Sequence, residues 1–394
     1  MRVIYILSPT KPFGGAARSL LNTITLLKQA SVEALVVMPD KGEMCSRLDE
    51  LGVEYKVLDY RFGVYPPVQS FSDWILFLPR LIGRIALNHR AAREVCAIAR
   101  LFKPDLIHTN VGVVTVGYIA ARRLHLPHVW HIREYGDHSY NFRFYPSNEA
   151  HLRALQQSYT ICISRDLARY NGLEGNERSR VIYNGVVPAK EEADNTTTKR
   201  ENSFLFIGRI ERGKGIKEML EAFVRSLSAM QTKHRLLLAG SVTDRQYFDE
   251  LTQIITQAQA GKEIVFLGEI SRPEEYIRKA KAVIVPTQYE GFGRVMPEAM
   301  CLGTPVIAYN NAGSKEQMDN GVRLTGQKIA LSYTTADELV ERLVEVADNG
   351  LQLLLPMIAR ARQTVSTLYT NEQNAQQVLA FYNDILNNTS KTKK

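Results

Sequence analysis

Residues 290–300 read EGFGRVMPEAM: two carboxylates eight positions apart, with a Gly-Phe-Gly turn, an arginine and a proline between them. Carboxylates accept hydrogen bonds from hydroxyls. Gly291 and Gly293 let the backbone come close to a ligand. Pro297 suits the first turn of a helix reaching to about Leu302, because its missing N–H costs little there. Glu298 then falls just inside that turn. The amides from Phe292 to Met296 are placed to meet phosphate or sugar oxygens. A polyhydroxylated ligand carrying phosphate is the chemistry this set would serve. Plain helix capping accounts for one glutamate near a helix start and leaves the other, with the glycine turn, unexplained.

A second cluster precedes it. The run SFLFIGRIERGKGIKEMLEAF (203–223) reads as a strand ending at Gly208, with Arg209 next and Lys214-Gly215 opening a helix. A guanidinium fork, an ammonium point charge and free N–H groups at a helix start, converging on one strand end, suit a diphosphate. Taken alone, the segment also fits a basic surface turn. It is not a G-x-x-x-x-G-K-[ST] loop, and no strand–turn–helix in the chain carries G-x-G-x-x-G.

Both clusters need strands to hold them, and the chain supplies these in two series. Short β-branched runs at 3–7, 34–38, 54–58, 106–109, 128–132, 160–163 and 180–183 alternate with helical patterns at 16–28, 91–102 and 115–123. A charged stretch rich in Thr and Asn follows at 187–202 and reads as a linker. The alternation resumes with strands expected at 203–207, 235–239, 263–267, 282–286 and 305–309, and helices including 216–227 and 247–257. Two α/β domains, each a doubly wound parallel sheet, are expected at 1–186 and 203–365. A length of 394 residues also exceeds what one core usually holds. In such folds ligands sit outside the carboxyl ends of the strands, here most naturally between the two sheets.

Taken in order, GRIERGKG and EGFGRVMPEAMCLGTPVIA resemble the C-terminal domain of glycosyltransferase family 4, whose members are retaining, nucleotide-sugar-dependent enzymes. Their GT-B fold sets two Rossmann-like domains facing across a cleft. Glu290 and Glu298 match the family's E-x7-E motif. The likeness extends over most of the chain: GGAARSLLNTI (14–24) resembles the N-terminal glycine loop, KPDLIHTN (103–110) and VWHIREYG (129–136) two further segments, VIYNGV (181–186) the run before the linker, and NAGSKEQ (311–317) a later Gly…Glu segment.

The resemblance implies roles residue by residue. Arg209 and Lys214 would hold the donor diphosphate, Glu298 the nucleotide ribose, and Glu290 the hydroxyls of the transferred sugar. Amides around Phe292, Gly293 and Arg294 would meet sugar and phosphates. In the N-terminal domain Gly14 and Gly15 would approach phosphate and acceptor and His131 would face the sugar, with Glu134 and His108 as neighbours. It further implies a UDP- or GDP-sugar donor, a glycan or polyprenyl-linked acceptor, no cofactor, and no metal, in keeping with the lack of an Asp-x-Asp motif. The C-terminal segment 366–394 would form a helix returning to the first domain, with a frayed tail. Two departures stand out: Ala16-Ala17 where the family often has an acid, and Val187 where it often has Asp.

Charge and composition narrow the alternatives. Of the formal +8, residues 1–185 hold +7, with 23 Lys/Arg against 16 Asp/Glu. An anionic partner should therefore face the first half. The stretch 71–103 is amphipathic, with Phe71, Trp74, Ile75, Phe77, Leu78, Leu81, Ile82 and Ile85 among interspersed arginines, and is expected to pack on the first sheet or to meet an anionic membrane surface. No uncharged run is long enough to span a bilayer, and the apolar run at 3–7 is too short for a signal peptide. Cys45, Cys96, Cys162 and Cys301 have neither metal-site nor redox spacing, so reduced thiols in a cytoplasmic protein, peripheral on the inner membrane face at most, are expected. Nucleic acid is not an expected partner, since the aromatics are not interleaved with Lys/Arg on strand patterns. A GT-B nucleotide-sugar epimerase or hydrolase is the enzyme alternative.

Overall fold

The computed structural model describes residues 1–10, 14–68, 70–136, 142–188, 200–349 and 351–392. The chain divides into two compact units, Met1–Gly185 with Asn371–Lys394, and Val186–Thr370.

The first unit is built on β1 (Arg2–Ile6), β2 (Glu33–Met38), β3 (Glu54–Val57), β4 (Leu106–Thr109), β5 (His128–Ile132), β6 (Tyr159–Cys162) and β7 (Ser179–Val181). They pair in the order β3-β2-β1-β4-β5-β6-β7, every pairing parallel. Side chains alternate across a strand, so β1 feeds two cores. Val3, Tyr5 and Leu7 pack with Leu20 and Ile24 of the helix Gly15–Gln29 and with Val378 and Phe381 of the helix Asn371–Thr392. Ile4 and Ile6 pack on the other face with Ala92 and Val95 of the helix Phe77–Phe102 and Ala120 of the helix Val116–Leu124. A parallel sheet covered on both faces requires such unbroken apolar strands.

The second unit holds β8 (Ser203–Ile207), β9 (Arg235–Ala239), β10 (Ile264–Gly268), β11 (Ala282–Val285), β12 (Val306–Tyr309) and β13 (Leu331–Tyr333). Their order is β10-β9-β8-β11-β12-β13, again all parallel. Phe204 and Phe206 bury against Met219, Leu220 and Phe223 of the helix Ile216–Ser226. In each sheet the strand order reverses once, between β1 and β4 and between β8 and β11, and those are the crevices where open α/β sheets bind ligands.

Of the linker expected at 187–202, residues 189–199 lie outside the described residues. Its two ends are fastened. Val186 N–H donates to Tyr369 O at 2.9 Å, Val187 bridges to Thr370, and the Arg200 guanidinium donates to Ala280 O and Gly303 O, each at 2.6 Å. The helix Leu355–Leu368 belongs to the second unit, and the C-terminal helix Asn371–Thr392 to the first.

Candidate functional site

In the second unit Arg209 leaves the end of β8, while Glu290 lies in the loop beyond β11. These are the two strands at which the sheet order reverses. Gly215 brings their loops together. Its φ is +67°, and a Cβ there would stand 2.3 Å from Pro286 O. Only glycine lets the 214–215 turn rest on the end of β11. Lys214 Nζ is thereby set 3.3 Å from Glu290 Oε2, with each side chain about a quarter exposed. Arg209 Nη2 pairs with Glu211 Oε1 at 2.9 Å. Arg294 Nη2 pairs with Glu298 Oε1 at 3.2 Å, one helical turn apart, where the helix Val295–Cys301 begins. Pro297 sits in its first turn, as expected. The two glutamates thus have different cations.

A third segment supports the glycine turn. Gly313 N–H donates to Glu290 O at 2.8 Å, and a Cβ on Gly313 would stand 2.5 Å from that oxygen and 2.8 Å from Gly291 O. The Gln317 amide, one turn further along the helix Ala312–Thr325, donates to Phe292 O and to Gly293 O. Phe292 itself is buried edge-on against Tyr369, with ring centroids 5.2 Å apart. The resemblance had pointed to 311–317 without assigning a residue there. The readable signals were a glycine inside a helix-opening turn and a glutamine four positions on.

In the first unit Gly14 and Gly15 open the helix Gly15–Gln29 and are exposed. Asn110 joins this turn to the buried histidines. Its Nδ2 donates to Ala16 O at 3.1 Å, and its Oδ1 accepts from Arg133 Nε at 3.0 Å. Arg133 Nη2 reaches His131 Nδ1 at 3.2 Å, and His108 Nε2 lies 3.2 Å from the same atom. Arginine only donates, so His131 Nδ1 carries the lone pair and Nε2 the proton. His108 Nε2 must then donate, leaving its Nδ1 to accept from the Tyr382 hydroxyl on the C-terminal helix. His131 Nε2 is buried and has no hydrogen-bond partner among the described residues. His131 therefore ends a chain of fixed donors as a neutral N–H. Glu134 Oε1 accepts from Val113 N at 3.3 Å and lines a cavity of about 110 Å³ with Asn148, His151 and Tyr170.

These buried groups set a pH dependence of stability. Burial pushes His128 down to about 3 and His151 to about 4, and, with Arg133 nearby, holds His108 and His131 well below the ordinary value. Unfolded, each titrates near about 6.5. Below that pH the unfolded chain binds more protons, so stability present above about pH 6.5 is lost as pH falls, by up to about 1.4 kcal/mol per histidine per pH unit. Burial raises Glu134 from 4.5 to about 7. It acts in the opposite sense across that interval, one carboxyl against four imidazoles. The melting temperature should therefore fall from pH 7 to pH 5; a flat profile in a pH series of thermal melts would contradict the linkage.

Two tandem units of this topology, with paired cations and carboxylates at the sheet reversal of the second, define a GT-B protein. Residues 13–190 match Glycosyltransferase Family 4 and residues 189–364 match Glycosyl transferases group 1. The chain belongs to glycosyltransferase family 4. It is 30% identical over 154 residues to the uncharacterized glycosyltransferase MJ1607 of Methanocaldococcus jannaschii, covering 36% of this chain and 38% of that one. It is 29% identical over 147 residues to the capsular polysaccharide biosynthesis glycosyltransferase CapM of Staphylococcus aureus, covering 35% and 38%. These matches thus span 38% of either relative's length. The fold is similar to that of Anabaena Alr3699/HepE in complex with UDP-glucose, with a TM-score of 0.74, 20% identity, and coverage of 98% of this chain and 100% of that one.

Proposed function

We propose that the chain is a retaining glycosyltransferase that moves a sugar from a UDP- or GDP-linked donor to a hydroxyl of a glycan or polyprenyl-linked acceptor. Its place would be surface polysaccharide biosynthesis, in the cytoplasm or at the inner face of the cell membrane. The observation that carries this reading is the Lys214–Glu290 pair, 3.3 Å apart at the sheet reversal. A diphosphate arriving there competes with the carboxylate for Lys214. The ammonium turns to phosphate oxygens, and Glu290 is left to accept from sugar hydroxyls. Arg209 adds a donor fork to the same diphosphate, Glu298 takes the ribose, and amides of Phe292, Gly293 and Arg294 meet the remaining oxygens. Gly14 and Gly15 leave room for phosphate and acceptor, and His131 offers its Nε2–H to a substrate oxygen.

In the transfer the acceptor oxygen forms a bond to the anomeric carbon on the face from which the diphosphate leaves. The carbon–oxygen bond to the diphosphate breaks, and the acceptor proton passes to a donor phosphate oxygen. No enzymic nucleophile is needed. The protein's part is to stabilise charge on the leaving diphosphate through Arg209 and Lys214, so no metal or cofactor enters the scheme. Support for the class of donor and product comes from the relatives: one solved structure of like fold is described with UDP-glucose, and CapM is named for capsular polysaccharide. A thermal-shift screen of nucleotide sugars should reveal one that raises the melting temperature. With acceptor glycans or polyprenyl-linked sugars added, that hit should release its nucleoside diphosphate. A screen in which no UDP- or GDP-sugar binds would end the proposal.

A further inference from the structure

Four buried side chains of the first unit, from four different elements, stand in a row: Tyr5 of β1, Tyr382 of the C-terminal helix, His108 of β4 and His131 of β5. The Tyr5 and Tyr382 hydroxyls lie 3.5 Å apart, Tyr382 meets His108 Nδ1, and His108 Nε2 lies 3.2 Å from His131 Nδ1. A hydroxyl and a neutral imidazole can each donate and accept. Taken by itself, the row can therefore run in either direction. With Tyr382 donating to His108, the protons point toward His131, whose Nε2 ends the row as an N–H. With Tyr382 accepting, His131 Nδ1 donates to His108, and Nε2 is left as a lone pair. The first form is a hydrogen-bond donor. The second is a general base.

Arg133 decides between them. Its Nη2 lies 3.2 Å from His131 Nδ1, and a guanidinium has no lone pair to offer and keeps its protons. In the second form two hydrogens would meet at Nδ1, so the row is held in the first. The guanidinium is itself fixed in place. Its Nε donates to Asn110 O and Oδ1, each at 3.0 Å, and Nη1 donates to Asn184 Oδ1 at 2.7 Å. Asn110 is fixed in turn: its N–H donates to Ile6 O at 2.9 Å and its Nδ2 to Ala16 O at 3.1 Å, in the first turn of the helix that Gly14 and Gly15 open. His131 is 2% exposed, and its Nε2 has no hydrogen-bond partner among the described residues. A buried donor oriented this firmly and left unmatched points to a ligand.

We propose that Arg133 is a positioning residue for the transfer: it fixes the direction of the row, so that His131 donates its Nε2–H to a lone pair on a substrate oxygen and accepts no proton from the attacking hydroxyl. Which substrate owns that oxygen rests on the transferase reading; the direction of the row does not. A neutral imidazole whose Nδ1 lone pair already faces two donors has no place for a further proton. The acceptor proton is therefore left to the donor phosphate.

Histidine labelled with nitrogen-15 tests the direction by NMR, without donor or acceptor. Among the eight histidines, the His131 signals are those missing from His131→Gln. In wild type at pH 7 they should show an unprotonated Nδ1 and a protonated Nε2. Arg133→Met should move them toward the reverse tautomer, and Arg133→Lys, which keeps a donating cation, should restore much of the wild-type pattern. With the nucleotide sugar found by thermal shift, Arg133→Met should lose about tenfold in kcat, the worth of one hydrogen bond. Its donor KM should change much less, and Arg133→Lys should recover part of the loss. An arginine that only supports the fold would lower the melting temperature when replaced and leave the tautomer where it was. Wild type with its proton on Nδ1 would overturn the proposal whether or not the variants fold, and so would an Arg133→Met protein that keeps Nε2–H. If no sugar is transferred while the wild-type pattern is seen, the transferase reading fails and the direction of the row stands.

Discussion

Lys214→Ala should lower turnover at saturating donor by about 10²–10³-fold, the usual loss when one preorganised charge is removed from a developing anion. The ammonium is partly withdrawn from solvent and held by a glycine-closed turn, so it is positioned before the donor arrives. On the proposed reading its removal would leave Arg209 as the remaining side-chain cation on the diphosphate and Glu290 as a negative charge facing phosphate. Both effects raise the barrier. The fold should change little, because a single partly buried pair at a strand end contributes about 1 kcal/mol. Circular dichroism and melting temperature should match wild type while kcat collapses. Glu290→Gln separates the two effects: it removes the repulsion and retains hydrogen-bonding capacity, so Lys214→Ala/Glu290→Gln should bind donor better than Lys214→Ala alone. A Lys214→Ala enzyme within threefold or so of wild-type kcat would remove Lys214 from the transition state.

Much of the architecture was legible because parallel strands buried on both faces are written as short continuous apolar runs. Arg2–Ile6, Ala282–Val285 and Val306–Tyr309 fall where such runs predict them. β13 was missed for the converse reason: Leu331–Tyr333 is three residues long, with a serine at its centre, and pairs at the sheet edge. The helix expected at 91–102 begins much earlier, at Phe77, and so takes in most of the amphipathic stretch 71–103. At the site, the types and strand-end positions of Arg209, Lys214, Glu290 and Glu298 could be read from sequence. That Lys214 pairs with Glu290 and Arg294 with Glu298 could not. The first pairing depends on how two loops from neighbouring strands meet, which Gly215 and Pro286 O decide. His131 was legible only as a histidine at a strand end. The network that orients it reaches Tyr382 through His108, residues 274 positions apart in the chain, and no local pattern can announce such a contact.

Gly313→Ala should damage donor binding as severely as the loss of a charged ligand, although Gly313 offers no side chain to the donor. Its added Cβ would meet two backbone oxygens, Glu290 O at 2.5 Å and Gly291 O at 2.8 Å. Neither can rotate aside as a flexible side chain would, so the 290–291 backbone must retreat, and with it the 2.8 Å bond from Gly313 N–H to Glu290 O. Retreat is costly on both sides. Ala312 is already held at φ +49°, a left-handed conformation that stores about 1 kcal/mol or more in a residue with a Cβ, and Gln317 clamps the far end of the turn at Phe292 O. The displacement therefore passes into Glu290 and the amides after it. A shift near 1 Å in a positioning loop costs about 10²-fold, and here it should appear mainly as a raised donor KM and weakened nucleotide-sugar binding by calorimetry. Gln317→Ala, which loosens the turn without pushing it, should do the same to a smaller degree. A Gly313→Ala protein with wild-type donor affinity would show that the turn has room to yield, and would leave Lys214 and Arg209 to carry donor recognition without it.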